Sequence, residues 1–169
     1  MLGLGEQAPE FELIGANGKI FRLSDYRGKK VLLFFLKDIT SGFGTLNIFA
    51  AIDAAYESLE ALDLIAIGIC PNSMKQLSPF YEGIPIYTPL LYDYRRMVAR
   101  RYQVEKDCIT FGNAYRTVNE CAYIIDENGY IEKQYRTFRY QQCRDMVLKD
   151  LRKWEKKRLK QASHPSSQV

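Results

Sequence analysis

Residues 31–36 read Val31-Leu32-Leu33-Phe34-Phe35-Leu36, six apolar side chains with no polar one between them. A strand with one wet face would alternate; a strand buried on both faces need not. A second run of this kind is Leu64-Ile65-Ala66-Ile67-Gly68-Ile69-Cys70. Between the two, Leu46, Phe49, Ile52, Tyr56 and Leu59 fall at spacings of three and four, the period of a helix's apolar stripe. Buried strand, helix, buried strand predicts a βαβ unit inside a sheet covered on both sides.

Outward from that unit the pattern stays consistent. On the N-terminal side, residues 11–14 and 20–23 flank Gly15-Ala16-Asn17-Gly18, a hairpin around an Asn-Gly turn. On the other side, Asn72 or Ser73 caps a short helix to about residue 81, and Gly83-Ile84-Pro85 ends it. Residues 89–91 read as a short strand, and Asp93 caps a helix through 102. Residues 105–119 show no period and are expected to be irregular. Residues 121–126 and 130–136 flank Glu127-Asn128-Gly129, a second hairpin. The last helix, from about 139 to 161, carries Tyr140, Cys143, Val147, Leu151 and Trp154 on one stripe. The order predicts an α/β, thioredoxin-like fold: a mixed central sheet with helices on both faces, an N-terminal β-hairpin and a long C-terminal helix. Residues 1–161 read as a single domain and 162–169 as a disordered tail.

Composition narrows the chemistry. The chain has 169 residues, 47% apolar and 26% charged, enough for one real core. No apolar run approaches the roughly 18 residues of a membrane span, so the protein is not expected to be transmembrane. Residues 1–10 lack a basic and then an apolar region, so no signal peptide is expected. The single histidine, His164, lies in the polar tail, which argues against His-based triads and His-rich zinc sites; no metal and no cofactor are expected. Cys70, Cys108, Cys121 and Cys143 form no CxxC pair. A reduced, cytoplasmic compartment is the simplest reading. The net charge of +4 is uneven: residues 139–160 hold nine Lys or Arg against three Asp or Glu, and the rest of the chain is slightly acidic.

Several blocks together resemble one family. They are Gly5-Glu6-Gln7-Ala8-Pro9-Glu10-Phe11-Glu12-Leu13, Leu23-Ser24-Asp25-Tyr26-Arg27-Gly28-Lys29-Lys30-Val31-Leu32-Leu33-Phe34-Phe35, Ile69-Cys70-Pro71-Asn72-Ser73 and Ala122-Tyr123-Ile124-Ile125-Asp126-Glu127-Asn128-Gly129. The likeness covers roughly residues 3 to 136 and is to the peroxiredoxin (AhpC/TSA) family, nearest its bacterioferritin-comigratory subgroup. It implies a thioredoxin-like fold and thiol-dependent antioxidant chemistry. The family's peroxidatic motif, Pro-x-x-x-Thr-x-x-Cys, stands at the helix after the first long buried strand. There a helix N-terminus and a nearby arginine stabilise the thiolate that attacks peroxide. Here the corresponding positions hold Leu36 for the proline, Thr40 for the threonine and Phe43 for the cysteine. The arginine position, three residues before Tyr123, holds Glu120. Ile48 stands where the subgroup often has a resolving cysteine. By this resemblance only Thr40 is kept, and the chain is expected to have lost peroxidase activity.

Two readings of function follow. In the first, the chain is a peroxiredoxin-like binding or interaction protein, acting through its surface or through a remodelled pocket around Thr40, Phe43 and Glu120. In the second it is a thiol oxidoreductase with a relocated nucleophile. Cys70 is the candidate, because it ends a strand at the edge where open α/β sheets bind ligands. Cys108 is expected to be exposed, and Cys121 and Cys143 structural. Arg144, Lys149, Arg152, Lys153, Lys156 and Lys157 form a candidate surface for an acidic protein or anionic surface. A homodimer is compatible with the family, and nucleic-acid binding is disfavoured: the aromatic–basic runs at 92–96 and 135–140 read as packing residues with solubilising neighbours.

Overall fold

The computed structural model describes residues 1–40, 43–82, 85–137 and 140–163; within its helices, the side chains at 43, 80, 81, 140–145, 148 and 151 lie outside that description. Strands β1 (Glu12–Ile14) and β2 (Ile20–Arg22) form the N-terminal hairpin, with Gly18 at φ +77° in its turn. The apolar run becomes β3 (Lys30–Phe35), followed by α1 (Phe43–Asp53), α2 (Tyr56–Glu60) and β4 (Leu64–Cys70). Then come α3 (Met74–Tyr81), β5 (Leu90–Tyr92) and α4 (Met97–Arg101). The chain continues through β6 (Glu105–Thr110), β7 (Asn113–Val118), β8 (Cys121–Ile125), β9 (Ile131–Tyr135) and α5 (Tyr140–Ala162).

The central sheet has the order β5-β4-β3-β8-β9. Strands β3, β4 and β5 run parallel, whereas β8 pairs antiparallel with β3 and with β9. This is the expected mixed sheet, βαβ followed by ββα. The uninterrupted apolar run is explained by the pleat: Leu32 and Phe34 point to one core, Val31, Leu33 and Phe35 to the other. The first core takes Ile48, Phe49 and Ile52 from α1, Leu59 from α2 and Val147 from α5. The second takes Val98 and Ala99 from α4, together with Leu2, Ala8, Phe11 and Leu23 from the N-terminal arm. Tyr102 and Tyr123 fill the second core and are wired into it. The Tyr102 hydroxyl donates to the Pro9 carbonyl (2.8 Å) and the Tyr123 hydroxyl to the Tyr102 carbonyl (3.0 Å).

Two expectations need correction and two a change of detail. Residues 105–118 are not irregular but a regular hairpin, β6–β7, separate from the main sheet. Most of its side chains are at least partly exposed, so the hydrophobic alternation that announces a half-buried strand is missing. Its turn is Phe111-Gly112, both at positive φ (+50° and +79°), without the usual Asn-Gly or Asp-Gly sequence. The expected helix from residue 46 to 59 is two helices, interrupted at Ala54-Ala55. There the Asp53 carboxylate accepts the backbone N–H groups of Tyr87 (2.9 Å) and Thr88 (2.6 Å). Asp93 is not the residue at the N-cap position, which is Arg96 at φ +53°, but its carboxylate does cap the first turn of α4, accepting the Ala99 N–H at 2.8 Å. The last helix runs one residue past its expected end, to Ala162. Residues 164–169 of the expected tail lie outside the described residues.

Helix α5 is fixed to the sheet by Asp150, which accepts hydrogen bonds from Lys133 and Tyr135 of β9. Partial burial pushes the Asp150 carboxyl up, but those two donors outweigh it and hold it below the usual carboxylate value. A lowered folded value stabilises above the unfolded pKa, near 4, and that stabilisation disappears as pH falls through the folded one. Asp150→Asn should therefore lose about 1–2 kcal/mol at neutral pH. In thermal melts the gap between wild type and variant should close below about pH 3. A gap independent of pH would mean that the charge of Asp150 contributes nothing.

Candidate functional site at the carboxyl ends of the central strands

The loops after β3, β4 and β5 meet at one edge of the sheet, the edge where ligands of open α/β folds bind. Leu36 leaves β3 fully buried, its N–H bonded to the Ile69 carbonyl at 2.8 Å. Asp38 then turns the chain, accepting from the Thr40 N–H (2.8 Å), the Thr40 hydroxyl (2.6 Å) and the Asn72 side-chain amide (2.7 Å). The other end of the Asn72 amide accepts the Ile39 N–H at 2.9 Å. Asn72 is 2% exposed, so this buried amide ties the loop after β3 to the loop after β4. Burial raises the Asp38 carboxyl, but the bonds from Thr40 and Asn72 prevail and hold it below its ordinary value. The Thr40 hydroxyl is thus already engaged within the chain. Asn72 and Asp38 are the site's main ties, and neither follows from the residues as a functional motif; the available sign was a polar residue directly after a fully apolar strand.

Phe43 is the first residue of α1; its side chain lies outside the described residues. Two residues on, Thr45 is 6% exposed and donates its hydroxyl to Glu120 Oε1 at 2.5 Å. Glu120 directly precedes β8, and its other oxygen is 4.0 Å from Lys37 Nζ. The tertiary fold therefore brings Glu120 to the first turn of α1, 75 residues away in sequence. A carboxylate is electrostatically at home at a helix N-terminus. A thiolate in the same turn would be repelled by it.

The thiols divide by depth. Cys70 is 1% exposed, and its Sγ lies 3.7 Å from the Leu91 carbonyl. Burial pushes its thiol up to about 12, with Asp38 and Asp93 adding to the effect. Cys70 does end a strand at the ligand edge, as expected, but it packs under the Asp38–Asn72 tie as a protonated, core-facing thiol. Cys121 is fully buried and is likewise pushed up to about 12, by burial first. Cys108 is half-buried rather than fully exposed, because β6 folds its side chain toward a cleft of about 390 Å³. The cleft lies between this hairpin and the strand ends and is also lined by Lys37, Arg96, Arg116 and Tyr115. Each cation already faces a carboxylate: Lys37 faces Glu120, Arg96 pairs with Glu105 at 3.0 Å and Arg116 with Asp107 at 3.1 Å. The Cys143 and Arg144 side chains lie outside the described residues. Among the described residues, no three His, Cys, Asp or Glu side chains converge as metal ligands, and no helix is long and apolar enough to cross a membrane.

The candidate basic surface lies along α5. Lys149, Arg152, Lys153, Lys156 and Lys157 are all exposed. The same helix turns Val147, Asp150 and Trp154 inward, with Lys30 Nζ stacked 5.6 Å from the Trp154 ring centre.

A parallel-and-antiparallel five-stranded sheet, with a helix starting just beyond its central strand, defines a thioredoxin-like protein of the peroxiredoxin type. Solved structures agree. The fold matches a cysteine-to-serine mutant of PrxQ from Xylella fastidiosa with a TM-score of 0.81, at 16% identity over 90% of this chain and 96% of that one. It matches the bacterioferritin comigratory protein of Xanthomonas campestris with a TM-score of 0.76, at 18% identity over 84% and 90%. The family model of AhpC/TSA matches residues 4–134. In sequence the chain is 32% identical over 152 residues to a putative peroxiredoxin Bcp of Haemophilus influenzae, covering 89% of this chain and 97% of that protein. It is 34% identical over 136 residues to peroxiredoxin Bcp of Bacillus subtilis, covering 79% and 84%. The chain belongs to the AhpC/TSA family, with relatives in its bacterioferritin-comigratory subgroup.

Proposed function

We propose that this chain keeps the peroxiredoxin scaffold without its thiol peroxidase activity and works as a binding or interaction protein. The observation that carries this reading is the first turn of α1: it opens on Phe43, and a carboxylate, Glu120, is bonded into it through Thr45. Phenylalanine has no nucleophile, and Glu120 sets the opposite electrostatic sign from the one a thiolate needs. An acidic protein or an anionic surface, met through the exposed cations of α5, is the partner class this reading takes.

The competing reading places the nucleophile at Cys70. Its burial and its thiol held near 12 weigh against it, since the thiolate is the reactive form. The test is hydrogen peroxide consumption with thioredoxin or dithiothreitol as reductant, on wild type and Cys70→Ser. Both should equal the protein-free control. Mild peroxide followed by mass spectrometry should place added oxygen on Cys108 well before Cys70 or Cys121. Turnover that vanishes in Cys70→Ser would overturn the proposal.

A further inference from the structure

The outer face of α5 carries a charge pattern that the fold does not use. The inward face is set by Val147 in the core, Asp150 bonded to β9, Trp154 under Lys30, and Arg158 donating to the Ala61 carbonyl at 2.6 Å. At about 100° per residue, the opposite face carries Lys149, Arg152, Lys153, Lys156 and Lys160. All five are exposed. None makes an ion pair among the described residues; the one such pair on α5 is that of Asp150 with Lys133, on the inward side. The five cations follow one line about 16 Å long. Some other surface cations of this chain pair with a carboxylate, as Arg22 does with Glu12, Arg27 with Glu10 and Arg116 with Asp107, and exposed cations such as Lys19, Lys75 and Arg95 are scattered over separate elements rather than lined up on one helix face.

We propose that this stripe is a docking surface for an anionic lipid bilayer. Its chemistry fits a plane better than a protein pocket. Four of the five cations are lysines, hydrated point charges without the fork that recognises a particular carboxylate. The stripe lies along the crest of a convex helix and holds no aromatic side chain, the usual anchor of a protein interface. At its margin stands Leu159, 63% exposed, an apolar side chain beside the cations at the depth of lipid headgroups. A bilayer rich in anionic headgroups offers a uniform negative plane that attracts such a cluster without shape matching. The proposal rests on the reading of the chain as an interaction protein, yet the peroxide assay decides that reading separately from lipid binding.

The test is co-sedimentation of the full chain with vesicles of phosphatidylcholine alone or with about a third phosphatidylglycerol. Wild type should bind the anionic vesicles at least about tenfold better than the neutral ones, and should come off when salt rises from about 50 to about 300 mM. The variant Lys149→Gln/Arg152→Gln/Lys153→Gln/Lys156→Gln/Lys160→Gln should lose this binding with an unchanged melting temperature, because every changed side chain is exposed. A control with the same charge change elsewhere, Lys19→Gln/Lys29→Gln/Lys75→Gln/Arg95→Gln/Lys106→Gln, should keep most of it. Equal binding to both vesicles, absence of binding, or equal losses in the two variants would overturn the proposal. So would capture of wild type on immobilised polyglutamate or polyuridylate while anionic vesicles stay empty, which would assign the stripe to an acidic protein or to nucleic acid.

Discussion

Phe43→Cys alone is expected to raise hydrogen peroxide consumption by no more than about tenfold over wild type, whereas Phe43→Cys/Glu120→Arg should add about another 100-fold. The reason is the charge that faces the first turn of α1. Thr45, in that turn, holds Glu120 at 2.5 Å, so the helix turn that residue 43 begins carries a carboxylate. A like charge nearby disfavours the thiolate, and a guanidinium favours it. A difference of about two pKa units between the single and double variants gives the 100-fold difference in thiolate. Alkylation of residue 43 as a function of pH reads this directly, and its midpoint should fall by about two units on adding Glu120→Arg. The double variant also removes the partner of the buried Thr45 hydroxyl, so its melt is measured alongside. If Phe43→Cys alone reached the rate of the Bacillus subtilis relative in the same assay, the weight given to Glu120 would be mistaken.

Phe34→Ala should destabilise the protein by about 3–5 kcal/mol in urea unfolding. Phe34 is 0% exposed, lies in the central strand and meets the Phe49 ring at 6.4 Å between centroids. Its partner across the parallel pair is Gly68. A Cβ on residue 68 would stand 2.8 Å from Phe34 Cζ and 3.1 Å from Leu90 Cδ1. Gly68→Ala is therefore expected to cost about 1–3 kcal/mol on the wild-type background through overpacking. On the Phe34→Ala background the ring is gone and most of that cost should vanish, a coupling of about 1–2 kcal/mol. Additive effects would show that the ring and the glycine do not depend on each other.

The contrast between these two predictions marks what could be read early. The glycine inside Leu64-Ile65-Ala66-Ile67-Gly68-Ile69-Cys70 was visible as an interruption of an apolar strand, but its cause was not, because the facing ring belongs to a strand more than thirty residues away. The same holds for the hairpin at 105–118. Its strands bury little, so they carry no hydrophobic period, and its Phe111-Gly112 turn has no strong turn signature. Glu120 was placed by resemblance alone; that it reaches Thr45 and faces Lys37 belongs to the fold.

By itself the sequence determined the central architecture: two apolar runs with a helical period between them, a hairpin at each end, and a long helix with its charge on one side. Local patterns specify these because strands buried on both faces and amphipathic helices leave a period in the chain. It also determined which residue stands at 43. The tertiary structure alone decided the chemistry around it. It buried Cys70 and Cys121, turned the Thr40 hydroxyl onto Asp38, brought Glu120 to a helix end and left five cations of α5 exposed, with no ion pair among the described residues. Burial and charge pairing are properties of distance in space, and distant segments of chain set them only once the sheet has brought those segments together.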